Sequence, residues 1–283
     1  MSKNTKRIVM FLAVTFGLMY LSHGLIALLL ETTAMELEDF PLNILGIIGG
    51  GSPAFAALFM VYKMYSEEER KNYWNRAYLY KAHWFWWMVA LLSPLVIGLG
   101  ANLIYHGGWW NPDIQWSHIA AFPLTFGAMI FAGGAEELGW RGILQNSISK
   151  KVHPVVTGIL IGIIWAIWHG PLFLIDVFAH YNYAFSTYFL FAIVYSLLLT
   201  LLVYKTRSIL LAVLMHAGIN AFGNLGFGIP MEVHEGVLVF LALLFIGFAS
   251  ALHFAEKSNI PVNCRPGDRG RSAIKVNMHS PKE

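Results

Sequence analysis

Residues 127–144 read GAMIFAGGAEELGWRGIL, an apolar stretch that carries two adjacent glutamates, Glu136 and Glu137, followed by Arg141. An acid at bilayer depth costs about 2.5–3.5 kcal/mol on insertion scales, and such residues face a protein interior or a water-filled cavity. A second carboxylate beside the first raises that cost, because like charges resist ionising together. A segment that only had to cross a membrane would carry leucine here. The stretch therefore predicts a membrane-embedded helix with a buried polar site.

The composition of the whole chain places the rest of it in the membrane as well. The 283 residues are 57% hydrophobic and 12% charged, against about 25% charged residues in a typical soluble domain. Apolar runs of about 18 residues or more are candidate transmembrane helices. Such runs between polar breaks predict an all-α polytopic bundle of about eight transmembrane helices, at residues 8–30, 42–64, 84–104, 118–149, 154–175, 186–204, 208–224 and 236–254.

The basic residues give this bundle an orientation. In the eight-span arrangement all 19 lysines and arginines fall on one side, while the opposite loops contain acids but no lysine or arginine. Cytoplasmic loops are enriched in lysine and arginine, so both termini are predicted to be cytoplasmic. The first apolar run is longer than the core of a signal peptide and no small-residue cleavage site follows it, so we expect a retained first helix. The protein would lie in the plasma membrane of a prokaryote or the endoplasmic reticulum of a eukaryote.

The chain divides into a long membrane-embedded part and a short polar tail. Residues 1–256 are expected to form one domain, with the polar motifs inside residues 123–223. Residues 257–283 contain several prolines and glycines and the only cysteine, Cys264, and are predicted to be a disordered cytoplasmic tail. One cysteine cannot make a disulfide framework.

Three further polar residues interrupt the apolar spans. His169 lies in the fifth span, and His216 and Asn220 lie four residues apart, hence on one face of the seventh. Counted from the basic loops at about 1.5 Å per residue, Glu136 and His169 differ in depth by about one helical turn. By the same count, Asn220 lies at a similar depth. These side chains are therefore predicted to meet in a cavity nearer the cytoplasmic than the outer face.

The types of these residues suit amide hydrolysis. A glutamate with a histidine can act as general base on water, and a second histidine with an amide can donate to a developing oxyanion. Arg141 follows Glu137 by four residues and Glu136 by five. It can pair with a carboxylate and hold it ionised, or it can extend its charged end to the cytoplasmic interface. The sequence leaves both roles open.

The same residues resemble the motifs of a known family of membrane proteases. EELGWRGIL matches the first motif, E-E-x-x-x-R, of the CAAX prenyl protease 2-like family, also called CPBP or Abi proteins. His169 in WAIWH matches the second motif, which usually has phenylalanine where this chain has Trp165. His216 and Asn220 match the last motif, H-x-x-x-N. Three motifs in order, in spans four, five and seven, make the resemblance specific; it covers residues 123–223.

The resemblance implies an integral-membrane endopeptidase and a role for each matching residue. Glu136 would activate the attacking water together with His169, and His216 with Asn220 would form the oxyanion site. Glu137 and Arg141 would support Glu136. Eukaryotic members remove the last three residues of prenylated C-terminal tails. Prokaryotic members are linked to bacteriocin self-immunity, pheromone processing and surface-protein display.

The choice between metal and metal-free chemistry depends on the ligand types. Glu136, His169 and His216 would make a three-ligand zinc set of the kind that hydrolytic sites use. The helical zinc motif H-E-x-x-H is absent, since His234 and Glu235 are followed by Leu238 where a second histidine would stand. The sequence therefore favours a metal-independent glutamate–histidine mechanism, with zinc as the alternative.

Two other classes of protein would also explain buried polar residues. A proton-coupled transporter uses glutamate, histidine and arginine in relays, but it would show internal repeats, and none is evident. A non-catalytic scaffold or immunity protein would use the cluster to hold helices together. The expected partners are a peptide or lipidated-protein substrate and the lipid bilayer, with no nucleic acid. The oligomeric state stays open, because the small residues Gly158, Gly162, Ala166 and Gly170 could pack within or between chains.

Overall fold

The computed structural model describes residues 1–78, 81–107, 119–149 and 152–257. The predicted tail beyond residue 257, Cys264, the start of the fourth predicted span at residue 118 and the connecting Lys150 and Lys151 lie outside the described residues. The described part is helical, and its main helices in chain order are α1 (Lys3–Thr32), α2 (Phe40–Gly50), α3 (Ser52–Met64), α4 (Glu67–Tyr78), α5 (Trp84–His106), α6 (Phe122–Ala132), α7 (Glu137–Gly139), α8 (Asn146–Ile148), α9 (Pro154–Trp168), α10 (Phe185–Thr206), α11 (Ile209–Phe222) and α12 (Glu235–Lys257). No strand occurs among these residues.

Several of these helices are long and apolar enough to cross a bilayer. Five meet that criterion, and a sixth span results if α2 and α3, which meet at a bend of 60°, are taken together. Of the other two predicted spans, α9 is an apolar helix of only 15 residues. The segment from α6 to α8 is broken into short pieces. The chain is thus a multi-pass, all-helical membrane protein, and the count of eight remains a prediction.

Local sequence signals fix where the helices begin and end. Ser2 and Ser208 accept a hydrogen bond from a backbone N–H of the first turn of α1 and α11, which satisfies a donor that the helix itself leaves unpaired. Proline occupies a first-turn position of α2, α3, α6 and α9, where its missing N–H is not needed. Helix α10 ends at Arg207, whose left-handed φ of 57° stops the helix.

The helix ends that carry lysine and arginine lie together, and we call this side of the bundle the basic end. Glu69 at the start of α4 pairs with Lys3 at 3.0 Å and with Arg7 at 2.7 Å. Arg76, near the end of α4, donates to the carbonyl of Arg207 at 2.9 Å. Helix α4 therefore lies across the basic end and joins the start of α1 to the end of α10.

The opposite ends of the helices also meet, and we call this side the acidic end. Tyr105 at the end of α5 donates a hydrogen bond to Glu232 in the loop before α12. Ala184, at the start of α10, donates its N–H to the carbonyl of Met231 at 2.9 Å. The described loops at this end, residues 33–39, 174–184 and 228–234, contain acids but no lysine or arginine. Within the described residues, the separation of charge predicted from the sequence is thus present.

Helix α10 forms the centre of the bundle, and the small residues of α9 pack against it. A Cβ atom on Gly162 would lie 2.6 Å from the Cα of Ile193, and one on Gly158 would lie 2.9 Å from a methyl of Leu197. Small residues allow two backbones to approach this closely. The stripe on α9 therefore packs within the chain.

Candidate active site

A break in the helical path places the two glutamates. Helix α6 stops at Gly133, a 3₁₀ turn covers Gly134–Glu136, and a π-helical stretch covers Trp140–Gln145 after α7. We call residues 133–148 the motif segment. Short 3₁₀ and π-helical stretches inside a helix often mark functional sites. The break turns both carboxylates inward, where Glu136 is 6% and Glu137 is 1% exposed.

Two indole groups hold one oxygen of the Glu136 carboxylate. Trp140 and Trp165 donate their Nε1–H to Oε2, at 3.1 and 3.0 Å. Hydrogen bonds to an ionised acceptor are stronger than those between neutral groups. Oε1 has no hydrogen-bond partner among the described residues, and Glu136 lines the cavity of the site. The carboxylate is thus fixed through one oxygen and leaves the other for a molecule in the cavity.

Glu137 joins an arginine to a histidine. Its Oε2 lies 2.7 Å from Nε of Arg141, and its Oε1 lies 2.8 Å from Nδ1 of His216. The hydrogen bonds of Glu137 thus go to Arg141 and His216, and the support of Glu136 by Glu137 and Arg141 stays a prediction. The pairing of Arg141 with a carboxylate is confirmed, and its carboxylate is Glu137.

Arg141 lies far from any interface. It is 1% exposed and donates through Nη1 to Oγ1 of Thr200 at 2.9 Å and through Nη2 to Oγ of Ser196 at 3.2 Å. Gln145 and the Ser196 carbonyl lie within 3.4 Å of Nη1. A buried guanidinium needs such a set of acceptors, since an unpaired buried charge is strongly destabilising. Extension of this side chain to the cytoplasmic interface is thus excluded in this structure.

The hydrogen bond of His169 fixes where its ring proton sits. His169 is the residue that caps the end of α9, and its Nδ1 lies 2.9 Å from the carbonyl oxygen of Trp165. A carbonyl oxygen can only accept, so Nδ1 must carry the proton. In the neutral ring Nε2 then presents a lone pair. His169 lines the cavity and has the protonation pattern of a general base.

His216 and Asn220 come together beside Gly133. A Cβ atom at Gly133 would collide with the amide nitrogen of Asn220 and would lie 3.4 Å from Nε2 of His216. The bare Cα of Gly133 therefore leaves room for both groups at one point. The prediction that these two residues of α11 share a face is confirmed, and both line the same cavity as Glu136.

The site lies in a cavity of about 820 Å³. Its inner wall is formed by Glu136, Trp165, His169, His216 and Asn220. Its lining also includes Tyr105, His106, Asn182, Tyr183 and Glu232, which belong to the acidic end of the bundle. Among the described residues the cavity thus extends from the catalytic side chains to the acidic end, and the position of the site nearer the cytoplasmic face stays a prediction.

Trp165 contacts three of the candidate site residues, a role that the three motifs do not reveal. It donates to Glu136, accepts from His169 through its carbonyl, and places its ring 5.2 Å from the ring of His216. The motif comparison identifies it only as the residue that stands where phenylalanine is usual. The spacing contained a usable signal, since Trp165 lies four residues before His169 and Trp140 lies four residues after Glu136.

An aromatic layer covers His169 on the acidic side. The rings of His180 and Tyr188 lie 5.7 and 5.3 Å from that of His169, the former stacked. Burial in this layer lowers the pKa of His180 to about 4, so His180 is neutral at pH 7. Nothing in the sequence separates His180, which lies outside the motifs, from other loop histidines.

The placement of the possible zinc ligands is less compact than a metal centre requires. Among the residues that the structure describes, no three histidine, cysteine, aspartate or glutamate side chains are placed so that they could hold one ion. The Nδ1 atoms of His169 and His216 face a carbonyl and a carboxylate, and Oε2 of Glu136 accepts from two indoles. Nε2 of each ring and Oε1 of Glu136 are not engaged by these contacts, so the choice between a metal-free site and a zinc site stays a prediction.

Comparison with known proteins supports the resemblance seen in the motifs. Residues 116–222 match the family model described as type II CAAX prenyl endopeptidase Rce1-like. The chain is also 27% identical over 221 residues to CAAX prenyl protease 2 of Methanococcus maripaludis, covering 72% of this chain and 81% of that protein. Both matches include the motif segment. The predicted resemblance to the CAAX prenyl protease 2-like family is confirmed.

Proposed function

We propose that this chain, with its Rce1-like CAAX prenyl endopeptidase region at residues 116–222, is an intramembrane endopeptidase that uses a water molecule activated by Glu136 and His169. The observation that supports this most directly is the arrangement around Trp165. One indole holds the carboxylate of Glu136 through Nε1, while its backbone carbonyl sets the proton of His169 on Nδ1. A carboxylate oxygen and an imidazole lone pair are both left to the cavity, as general-base catalysis requires.

The chemical steps follow from these free atoms. The water oxygen attacks the carbonyl carbon of the scissile peptide bond while its proton passes to the Glu136–His169 pair. The C–N bond of the tetrahedral intermediate then breaks, and the same pair returns the proton to the leaving amine. Water supplies the new carboxylate oxygen, so no further reactant is needed. We propose this metal-independent route in preference to zinc chemistry.

His216 and Asn220 would stabilise the oxyanion of the intermediate. Asn220 donates through its amide, whereas Nε2 of His216 can donate only when the ring carries a second proton, because Nδ1 already faces Glu137. The Glu137 carboxylate beside the ring favours that positive charge, and Arg141 keeps the carboxylate ionised. Oxyanion donors of this kind contribute about 2.7–4 kcal/mol each to the lowering of the activation barrier.

The proposed substrates are peptide segments held at the membrane. Family members act on prenylated proteins, so prenylated C-terminal peptides are the first substrates to test, beside matched peptides without the lipid. A scaffold or immunity role is the second candidate function, and it predicts that the acid of the site is dispensable. No contact within the described part of the chain favours a transporter.

The decisive experiment compares Glu136→Gln with wild-type protein in detergent, using labelled peptides with and without a prenyl group. Removal of a general base is expected to reduce cleavage by about 10²–10⁴-fold. Glu38→Gln is the matched control, because Glu38 is exposed on the loop before α2 and should keep full activity. Unchanged cleavage by Glu136→Gln would refute the site. A parallel assay with a strong chelator should leave cleavage unchanged, and its loss would reverse the proposed choice against zinc.

A further inference from the structure

Within the described residues, four aromatic rings lie against His169, and two of them carry polar hydrogens that are already in use. The rings of Trp165 and Trp168 lie 5.5 and 4.5 Å from the imidazole of His169. Nε1–H of Trp165 donates to Glu136, and Nε1–H of Trp168 donates to Ser52. Neither indole N–H is therefore available to a molecule bound next to His169.

The other two rings belong to His180 and Tyr188, and both residues line the cavity of the site. The ring of His180 is stacked on His169 at an interplanar angle of 22°, so its N–H is nearly parallel to the plane of His169. The lone pair on Nε2 of His169 lies in that plane, and a water molecule bound to it would lie out of line with the His180 N–H. The ring of Tyr188 is inclined to the same plane at 64°, so its hydroxyl can point at such a water.

The hydroxyl of Tyr188 has no hydrogen-bond partner among the described residues. Tyr188 is 4% exposed and lies near the start of α10, where its ring contacts Phe173 and Phe191 at 5.1 and 5.4 Å. The charge of Glu136 acts electrostatically on this hydroxyl, which places the two groups near each other. A buried hydroxyl is normally hydrogen-bonded, so the partner of this one must come from the cavity.

The proposed catalytic water can accept one such hydrogen bond. A water molecule has two hydrogens and two lone pairs. Its hydrogens would go to Oε1 of Glu136 and to Nε2 of His169, which are both acceptors. One lone pair must face the carbonyl carbon of the substrate, and the second is left for a donor from the protein. A donor fixed at that position sets the direction of the first lone pair.

We propose that Tyr188 is a further catalytic residue, whose hydroxyl donates a hydrogen bond to the nucleophilic water and directs its free lone pair at the scissile carbonyl. The inference rests on the proposed peptidase function. Tyr188 keeps its proton throughout, because the proton that leaves the water passes to the Glu136–His169 pair. The proposed oxyanion donors, His216 and Asn220, meet beside the motif segment. Tyr188 contacts His169 instead, so its role differs from theirs.

The test compares Tyr188→Phe with Tyr195→Phe in the peptide-cleavage assay. Both substitutions remove one hydroxyl from α10, and both residues are buried and line the cavity. The ring of Tyr195 contacts Phe191 at 4.9 Å and does not contact His169. Since loss of orientation of a reactant can cost about 10²-fold, we expect kcat of Tyr188→Phe to fall by about 10- to 100-fold. KM should stay the same, because the hydroxyl contacts water and not the peptide. Tyr195→Phe should affect kcat far less.

Two further variants keep the test decisive. His180→Phe retains a stacked ring and removes the competing N–H donor. Wild-type kcat in Tyr188→Phe, or equal losses in Tyr188→Phe and Tyr195→Phe, would overturn the proposal. Loss of kcat in His180→Phe beside a fully active Tyr188→Phe would assign the donor to His180 instead. A ring-fluorinated tyrosine in place of Tyr188 retains the hydroxyl and should retain kcat; a loss as large as that of Tyr188→Phe would also overturn the proposal. Thermal unfolding in detergent checks that each variant is folded.

Glu136→Gln in the same assay separates this inference from the peptidase function. If Glu136→Gln is inactive while Tyr188→Phe cleaves like wild type, only the role of Tyr188 is refuted. If Glu136→Gln cleaves like wild type, the peptidase mechanism is refuted and the role of Tyr188 with it. Strong loss of kcat in both variants, with Tyr195→Phe active, is the result that we expect.

Discussion

At the scale of single residues, the site depends on side chains that orient other side chains. Trp165 contacts Glu136 and His169 through two different groups, and Glu137 positions His216 while Arg141 holds Glu137. In Glu136, His169 and His216, one polar atom of the side chain is thus already hydrogen-bonded, and the other polar atom is the one proposed to react. Such an arrangement restricts rotation and leaves one defined oxygen or nitrogen for the reaction.

The first residue-scale prediction concerns Trp165, which stands where the family usually has phenylalanine. Trp165→Phe keeps the ring but removes one of two N–H donors to Glu136, and a hydrogen bond to a charged group contributes about 1.5–3 kcal/mol. We expect kcat to fall about ten- to a hundredfold with KM unchanged. The matched control is Trp168→Phe, whose indole donates to Ser52 at 3.1 Å and not to Glu136. Equal losses in kcat for both variants would contradict the role of the Trp165 N–H.

The second residue-scale prediction concerns the buried pair of Glu137 and Arg141. Arg141→Met leaves a carboxylate without its arginine in an interior where both residues are 1% exposed, which is expected to cost about 3–5 kcal/mol of stability. The double variant Glu137→Gln with Arg141→Met removes both charges. Thermal unfolding in detergent should therefore show the double variant to be more stable than Arg141→Met alone. If the stability losses of the two single variants, Glu137→Gln and Arg141→Met, simply add up in the double variant, the pair is not coupled.

At the scale of elements, the catalytic residues lie where helices are interrupted. The regular helices behind them pack closely and hold these interruptions in place. The motif segment passes through 3₁₀, α and π geometry within residues 134–148. The end of α9 at Trp168 places His169 at a helix terminus. Behind these breaks, α9 packs on α10 through Gly158 and Gly162. The irregular backbone is thus held against a regular and tightly packed pair.

A prediction at this scale compares two glycines in long helices. Gly162→Ala would bring its new methyl to 2.6 Å from the backbone of Ile193, so α9 and α10 must separate and the protein should be destabilised. Gly17→Ala in α1 meets open space, where alanine favours a helix by about 0.5–1 kcal/mol over glycine. The Tm of thermal unfolding should thus fall for Gly162→Ala and rise for Gly17→Ala. A stabilising Gly162→Ala would contradict the observed contact.

At the scale of the whole molecule, charge divides the bundle into two different ends. Glu69 joins α4 to Lys3 and Arg7 at the basic end, and the Tyr105–Glu232 pair joins α5 to the loop before α12 at the acidic end. The two residues of the second contact also line the cavity of the site. The two ends of the bundle therefore differ in charge and in their distance from this cavity lining.

A pH-dependent prediction follows for Glu69. The hydrogen bond from Arg7 holds the pKa of Glu69 well below its usual range, so the pair stabilises the fold above the carboxyl pKa of the unfolded chain, about 4.3. That contribution is lost as the pH falls through the lower folded pKa. Glu69→Gln should therefore lower the Tm at pH 7, and the difference from wild type should shrink progressively below about pH 4.

The size of this effect is bounded by the exposure of the pair. Arg7 is buried and Glu69 is one-third exposed, so the loss at pH 7 should lie above the ~1 kcal/mol of an exposed pair and below the ~3 kcal/mol of a buried one. The neighbouring exposed Glu68 provides the matched variant Glu68→Gln, for which we expect little change. A Tm difference for Glu69→Gln that does not vary with pH would contradict the ion pair as its cause.

The sequence by itself determined the all-helical membrane class, the separation of charge and the residues of the three motifs. These follow from hydrophobic length, loop charge and spacing, which are local properties of the chain. The partner of each polar atom was decided by the tertiary structure, because a helical spacing of four allows Arg141 to reach a carboxylate but does not show that this carboxylate faces His216. The residues that line the cavity outside the motifs were also decided there, since Tyr105, His180 and Glu232 are far apart in the chain and meet only in the folded bundle.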